Sequence, residues 1–349
     1  MRSWIGISAL ALVVLMLCNL ANAAEAAQSH ETTLARVRAA GVLRCGIDVE
    51  EAEYSTSDDH GNREAFDADL CRAVAVAALG ENAQVKVTHY PDDTTAIQGL
   101  ASGEVAMVAT LPDDFTHAVG MHLALTLPVL WDGVGFLVPY GSTATRARQL
   151  SGKKICFLAE TSVEESVRAW FGREHLEFVP FPFQEEGEMQ AAFATGNCSA
   201  LAGDRTRLAQ NRAAFARHGS QVRLLPERIS KDPLAAAVRD GDAQWTAIVG
   251  WVMEALIQSE ESGVTRANVH AMLTRADSSP DLRFLLGASH QIGPALGLEN
   301  DWAARVIAAT GNYGEIYERD LGTGSALKLP RDENNLRLHG GAMEALAFK

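Results

Sequence analysis

After its first residues the sequence contains no stretch approaching the roughly 18 apolar residues that a membrane-spanning helix needs. It has no C-x-x-C, which leaves nothing for a zinc knuckle or a thioredoxin-type redox pair. G-x-S-x-G, H-E-x-x-H, a Walker loop and a G-x-G-x-x-G after a strand are all missing. Serine hydrolysis, zinc proteolysis, nucleotide hydrolysis and dinucleotide binding therefore lack their usual residues. Positive charge is also scarce, with 30 Lys+Arg against 44 Asp+Glu. Nucleic acid and anionic membrane surfaces are poor partners for such a chain.

The N-terminus reads as an export signal: Arg2, the apolar core Ile5 to Leu17, and the A-x-A site Ala21-Asn22-Ala23. Cys18 raises a lipid anchor, but Leu17 before it fits lipoprotein processing poorly, so a soluble, cleaved, periplasmic product is expected. Removing residues 1–23 from 349 leaves 326, with 29 basic and 44 acidic side chains and a formal net charge of −15. That length is too great for one ordinary core and suits two lobes. The mature chain keeps Cys45, Cys71, Cys156 and Cys198, for which three pairings are possible. Cys45 with Cys71 and Cys156 with Cys198 is the expected pairing, because each pair falls within one lobe.

Periodicity and Gly stops give strand Val42–Ile47, helix Ala68–Leu79 capped by Asp67, strand Val85–His89, helix Asp92–Ser102 and strand Val105–Thr110. This β-α-β-α-β order predicts an α/β lobe with a parallel sheet. A second set of strands and helices follows from Lys154 to Leu225, and the chain is mostly helical from Asp242. Apolar segments Gly133–Val138 and Ile229–Val238 read as two hinge strands. The expected division is 24–138 and 229–349 for lobe 1 and 139–228 for lobe 2. Trp131, Trp170, Trp245, Trp251 and Trp302 read as core.

The chain resembles the periplasmic solute-binding proteins of polar amino-acid ABC importers, most nearly the general L-amino-acid-binding subgroup. The resemblance covers nearly the whole mature chain. It includes Phe66-Asp67-Ala68-Asp69-Leu70-Cys71, Asp132-Gly133-Val134-Gly135-Phe136 and Ser230-Lys231-Asp232-Pro233-Leu234. It implies the two-lobed periplasmic binding protein fold and a small polar solute as ligand. It also implies an ABC permease as partner, ATP hydrolysis by a partner rather than this chain, no cofactor, and a monomer without enzymatic activity.

It further implies a ligand site. Tyr54 would cover the ligand side chain, Asp204 would take the α-ammonium, and Thr161 would help hold the α-carboxylate. Thr110 and Asp113 belong to the first-lobe edge of that site, and His117 stands where the family has an arginine. Glu160 stands where a glycine is usual. His cannot make the bidentate pair that Arg makes with a carboxylate. A site with Asp113, Asp114, Glu160 and Asp204 and no Arg is expected to bind ordinary amino acids weakly and to prefer a cationic ligand. A dehydratase-like enzyme of related fold, using His117 or Glu160 as acid or base, is the alternative, as is a receptor for a cation or metal. His117 and His122 beside the two acids match no common metal spacing.

Overall fold

The computed structural model describes residues 32–48, 63–275, 280–288 and 292–348. The signal segment and Tyr54 lie outside the described residues.

The first sheet holds β1 (Val42–Asp48), β2 (Gln84–Tyr90), β3 (Met107–Pro112), β4 (Leu123–Asp132) and β10 (Asp232–Arg239), in the order β2-β1-β3-β10-β4. The second holds β5 (Val134–Pro139), β6 (Lys154–Leu158), β7 (Val179–Phe183), β8 (Ala200–Asp204) and β9 (Val222–Leu224), in the order β7-β6-β8-β5-β9. Three strands run parallel in each sheet, as the repeated β-α units require. The strands arriving from a crossing, β10 and β5, pair antiparallel, so both sheets are mixed rather than purely parallel.

Helices α1 (Thr33–Ala40), α2 (Arg63–Leu79) and α3 (Asp93–Ser102) accompany the first sheet. Thr32 caps α1, Asp92 caps α3, and Gly41 and Gly103 end them in the left-handed region. Asp67 is not a cap. Helix α2 starts five residues earlier than expected, at Arg63, which places Asp67 inside the helix and fully buried. Helices α4 (Ser162–Arg173), α5 (Glu186–Ala194) and α6 (Arg205–Arg217) belong with the second sheet. Then come α7 (Ala243–Glu261), α8 (Val269–Arg275), α9 (Pro280–Leu285), α10 (Ile292–Leu296), α11 (Trp302–Thr310) and α12 (Tyr313–Asp320).

Alternation along the strands sends side chains to two separate cores on each sheet. Leu43, Ile47 and Met107 join Phe66, Trp245, Trp302 and Tyr313 on one face, so the C-terminal helices pack on the first sheet. Val108, Leu111 and Ala237 pack on the other face with Tyr90 and Leu100. Phe136 and Phe157 meet Trp170 and Phe171 on the second sheet, with Leu137 and Leu201 on its reverse beside Phe193. Cys45 is bonded to Cys71 and Cys156 to Cys198, with Cα atoms 6.0 and 5.8 Å apart. Each bond fastens a strand to its own lobe.

Two chain segments cross between the sheets, and hydrogen bonds hold them side by side. Ile229 N donates to Val134 O at 2.8 Å, and Val134 N donates to Ser230 Oγ at 2.8 Å. Asp132 and Asp232 are register partners at the last step of the first sheet. The outward crossing is therefore at Gly133, because all of β5 pairs in the second sheet. Gly133 has φ +155°, and a Cβ there would meet Arg228 Cδ and Ser230 O at 2.7 Å. No larger residue fits this crossing without displacing its neighbour.

Candidate functional site

Ligands of open α/β sheets bind beyond the carboxyl ends of the parallel strands. Three such ends carry the polar residues singled out in the sequence. β3 leads to Asp113, Asp114 and His117, β6 to Glu160 and Thr161, and β8 ends in Asp204.

At the β3 end, Thr110 is fully buried and its hydroxyl donates to Asp67 Oδ1 and Oδ2 at 3.1 and 3.0 Å. Thr110 thus ties β3 to α2. A one-turn π-helix, Thr116–Gly120, follows the strand. Its His117 is held by Asp114 through the backbone N–H (2.9 Å to Oδ1) and ring Nδ1 (2.9 Å to Oδ2), with Asp93 Oδ2 at 3.9 Å from Nε2. The ring is thus engaged by carboxylates of its own lobe. Burial works against the Asp114 charge, but the His117 bonds outweigh it and hold that carboxyl below the usual range. Asp113 shifts the other way. Burial raises it first and the Asp114 charge second, while Lys231 opposes both. Its backbone N donates to Pro233 O at 2.8 Å, which sets the β3 edge against the returning crossing.

At the β6 end, Thr161 is the N-cap of α4 and accepts from Glu164 N at 3.5 Å. Its hydroxyl donates to Leu158 O at 2.9 Å. Glu164 reaches back, as in a capping box, but to the backbone N of Glu160 at 3.0 Å. Glu160 has φ +59°, a backbone that suits glycine and costs another residue about 1 kcal/mol.

At the β8 end, Asp204 pairs in register with Val134 at the crossing and occupies the N-cap position of α6. Its side chain makes no capping bond. Asp132 caps α6 instead, accepting from Arg205 N at 3.1 Å and Thr206 N at 3.3 Å, and from the Thr206 hydroxyl. The ordinary structural use of an Asp at a helix start is thus already supplied from the crossing.

The cations nearest the crossing have structural partners. Arg205 is buried and donates to Leu225 O at 2.9 Å, Pro226 O at 3.2 Å and Asp332 Oδ2 at 3.2 Å. Arg228 pairs with Glu333 at 2.7 Å. Lys231 lies over the Trp131 ring, 5.3 Å from its centroid. Asp132, Arg205 and the Asp332–Asn334 turn escaped the sequence reading. The contacts of Asp132 with Arg205 and of Trp131 with Asn334 span 73 and 203 residues, beyond any local signal. Among the described residues no three His, Cys, Asp or Glu side chains group as a metal would require.

Two sheets of matched topology, joined by two hydrogen-bonded crossings and with polar residues at the strand ends, define a two-lobed binding protein. No protein-family model matches the chain. It is 39% identical over 331 residues to the general L-amino acid-binding periplasmic protein AapJ of Rhizobium johnstonii, covering 93% of this chain and 94% of that protein. Identity is 34% over 325 residues to the glutamate/glutamine/aspartate/asparagine-binding protein BztA of Rhodobacter capsulatus, covering 93% and 95%. A solved periplasmic binding protein of an ABC transporter from Brucella ovis, with glutathione bound, superposes with a TM-score of 0.77. It is 35% identical and is covered over 99% of its length by 91% of this chain. The chain belongs to the periplasmic solute-binding proteins of amino-acid ABC transporters.

Proposed function

We propose that this chain, exported by a cleaved signal and acting as a monomer, is the periplasmic receptor of an ABC importer. Its cargo would be an α-amino acid, free or at the end of a small peptide. The ligand's ammonium goes to Asp204, and the start of α4 at Thr161 takes part of its carboxylate through free N–H groups. Asp113 and Glu160 border the site, Tyr54 covers the side chain, and Thr110 and His117 support the first edge from behind. The chain delivers its ligand without chemical conversion, and ATP hydrolysis belongs to the membrane partner.

One observation carries this reading: Asp204 ends β8 at the crossing, in register with Val134 and immediately before α6, whose first N–H groups are taken by Asp132. The relatives support the class of ligand, since their names specify amino acids and the solved relative holds glutathione, which ends in an α-amino acid group. Calorimetry of the mature protein with L-glutamate, L-glutamine, L-histidine, glutathione and a simple diamine tests the reading. Binding by at least one amino-acid-type ligand is expected, weakened by one to two decades in Asp204→Ala, the effect of about 1.5–3 kcal/mol for a lost charged hydrogen bond. Tight glutamate binding undiminished in Asp204→Ala would overturn it.

A further inference from the structure

We infer that Lys231 is the anchor for the ligand's carboxylate, in place of the guanidinium missing from the β3 edge. This rests on the amino-acid reading above and names a residue that the reading lacks. Asp113 N is bonded to Pro233 O, and Leu234 pairs in register with Pro112, so the chain just before Pro233 runs out past the carboxyl end of β3. Lys231 stands there. On its other side Ser230 is bonded to Val134, the register partner of Asp204. Lys231 therefore sits on the crossing between Asp113 of one sheet and Asp204 of the other.

Arg205 and Arg228, the neighbouring cations, are taken up by carbonyls and by Asp332 and Glu333. Lys231 is exposed, and its ammonium rests on the Trp131 ring rather than in a salt bridge among the described residues. A ring face holds a cation without neutralising it, and a lysine on a flexible stem acts as a movable point charge. Asp113 follows β3, Glu160 follows β6 and Asp204 ends β8, and a zwitterion could bind among these carboxylates only if some cation answered its own carboxylate. The ligand then lies with its ammonium toward Asp204 and its carboxylate toward Lys231, which bears on the cationic preference read from the sequence.

The test uses Lys231→Met and Lys231→Arg, with calorimetry on L-glutamine and on its α-carboxamide, which keeps the ammonium and lacks the carboxylate. Lys231→Met is expected to weaken L-glutamine by at least about tenfold. The carboxamide should change by less than about threefold, and Lys231→Arg should keep most of the affinity for L-glutamine. Equal weakening of both ligands by Lys231→Met would show that the lysine acts only through Trp131 and the crossing, and would overturn the inference. So would an unchanged affinity for L-glutamine while Asp204→Ala still abolishes it, an outcome that leaves the amino-acid reading standing. Failure of the wild type to bind either ligand or any other amino acid would defeat both. Melting curves of the ligand-free variants show whether any loss comes from unfolding.

Discussion

Asp132, the last residue of β4, caps the helix that Thr206 helps to begin in the other sheet, accepting from Thr206 through both its backbone N–H and its hydroxyl. The same carboxylate also takes Gly133 N at 2.8 Å and Arg205 N at 3.1 Å. One buried side chain thus joins the outgoing crossing to α6, and Asp204 is the residue immediately before that helix. The position of Asp204 depends on Asp132, so stability and ligand affinity are coupled here.

Asp132→Ala is expected to destabilise the protein by about 2–3 kcal/mol, more than an ordinary lost cap, because several buried donors lose a charged acceptor. Asp132→Asn should lose less, since its side-chain oxygen still accepts. Urea denaturation measures both, and the affinity for L-glutamine should fall in the same order. A loss of stability with no change in affinity would separate α6 from the site.

The turn Asp332–Asn334 belongs to the C-terminal segment and meets the crossing three times. Asn334 is buried and clasps the backbone of Trp131, accepting from its N at 2.7 Å and donating to its O at 2.9 Å. β4 is the edge strand, and this side chain continues its hydrogen bonding where no neighbouring strand exists. Asp332 and Glu333 reach Arg205 and Arg228 from half-exposed positions. Asn334→Ala should therefore cost about 1–3 kcal/mol by removing both of its bonds to the Trp131 backbone. Asp332→Ala and Glu333→Ala should each cost less than about 1 kcal/mol, as screened pairs do. Thermal melts of the three variants give the ranking, and a larger loss from Glu333→Ala than from Asn334→Ala would contradict it.

The two β-α-β-α-β halves were legible because several helices end at a glycine, such as Gly41 and Gly103, and the strands are short apolar runs or alternate, as Val85–His89 does. β4 was not. Thr126 and Pro128 interrupt its pattern, and the strand tolerates them only at a sheet edge, where the register slips beside Pro128. Asp67 was misread for a related reason. A carboxylate before an apolar helix looks like a cap, and only Thr110, 43 residues on, shows that it is a buried acceptor. The polar residues of the candidate site could be named from the sequence, but not their partners. That His117 turns to Asp114, or that Asp132 relieves Asp204 of capping, depends on contacts that only the folded chain creates.

Glu160 offers a test of backbone strain beside the site. Its φ of +59° is costly for a residue with a Cβ, and its backbone N–H is held by Glu164. Glu160→Gly removes the steric cost but loosens the unfolded chain, so a net gain of about 0.5–1 kcal/mol is expected. The gain should appear as a higher denaturant midpoint. A destabilised Glu160→Gly would show that the glutamate side chain contributes more than its backbone costs.

Stability should also depend on acidity within the first lobe, through a carboxylate pair on α2 and α12. Arg319 lies between Asp69 and Asp320, paired closely with Asp69 and 3.4 Å from Asp320 Oδ1. Asp320 has a side chain only 3% exposed. Burial first, then the Asp69 charge, push its carboxyl up to about 7, against the pull of Arg319. In the unfolded chain the same group releases its proton near pH 4. Between these values the folded state holds a proton that the unfolded state has lost, so stability falls as pH rises from about 4 to about 7 and is level above. Sharing with Asp69 and partial screening reduce the full shift, leaving an effect of about 1–3 kcal/mol. Asp320→Asn keeps the shape of the neutral acid without the titration. It should match the wild type near pH 4 and exceed it increasingly up to pH 8, by urea denaturation at unit pH steps. A gap between the two proteins that stays constant over that range would mean that Asp320 is already ionised at pH 4, with Arg319 outweighing burial.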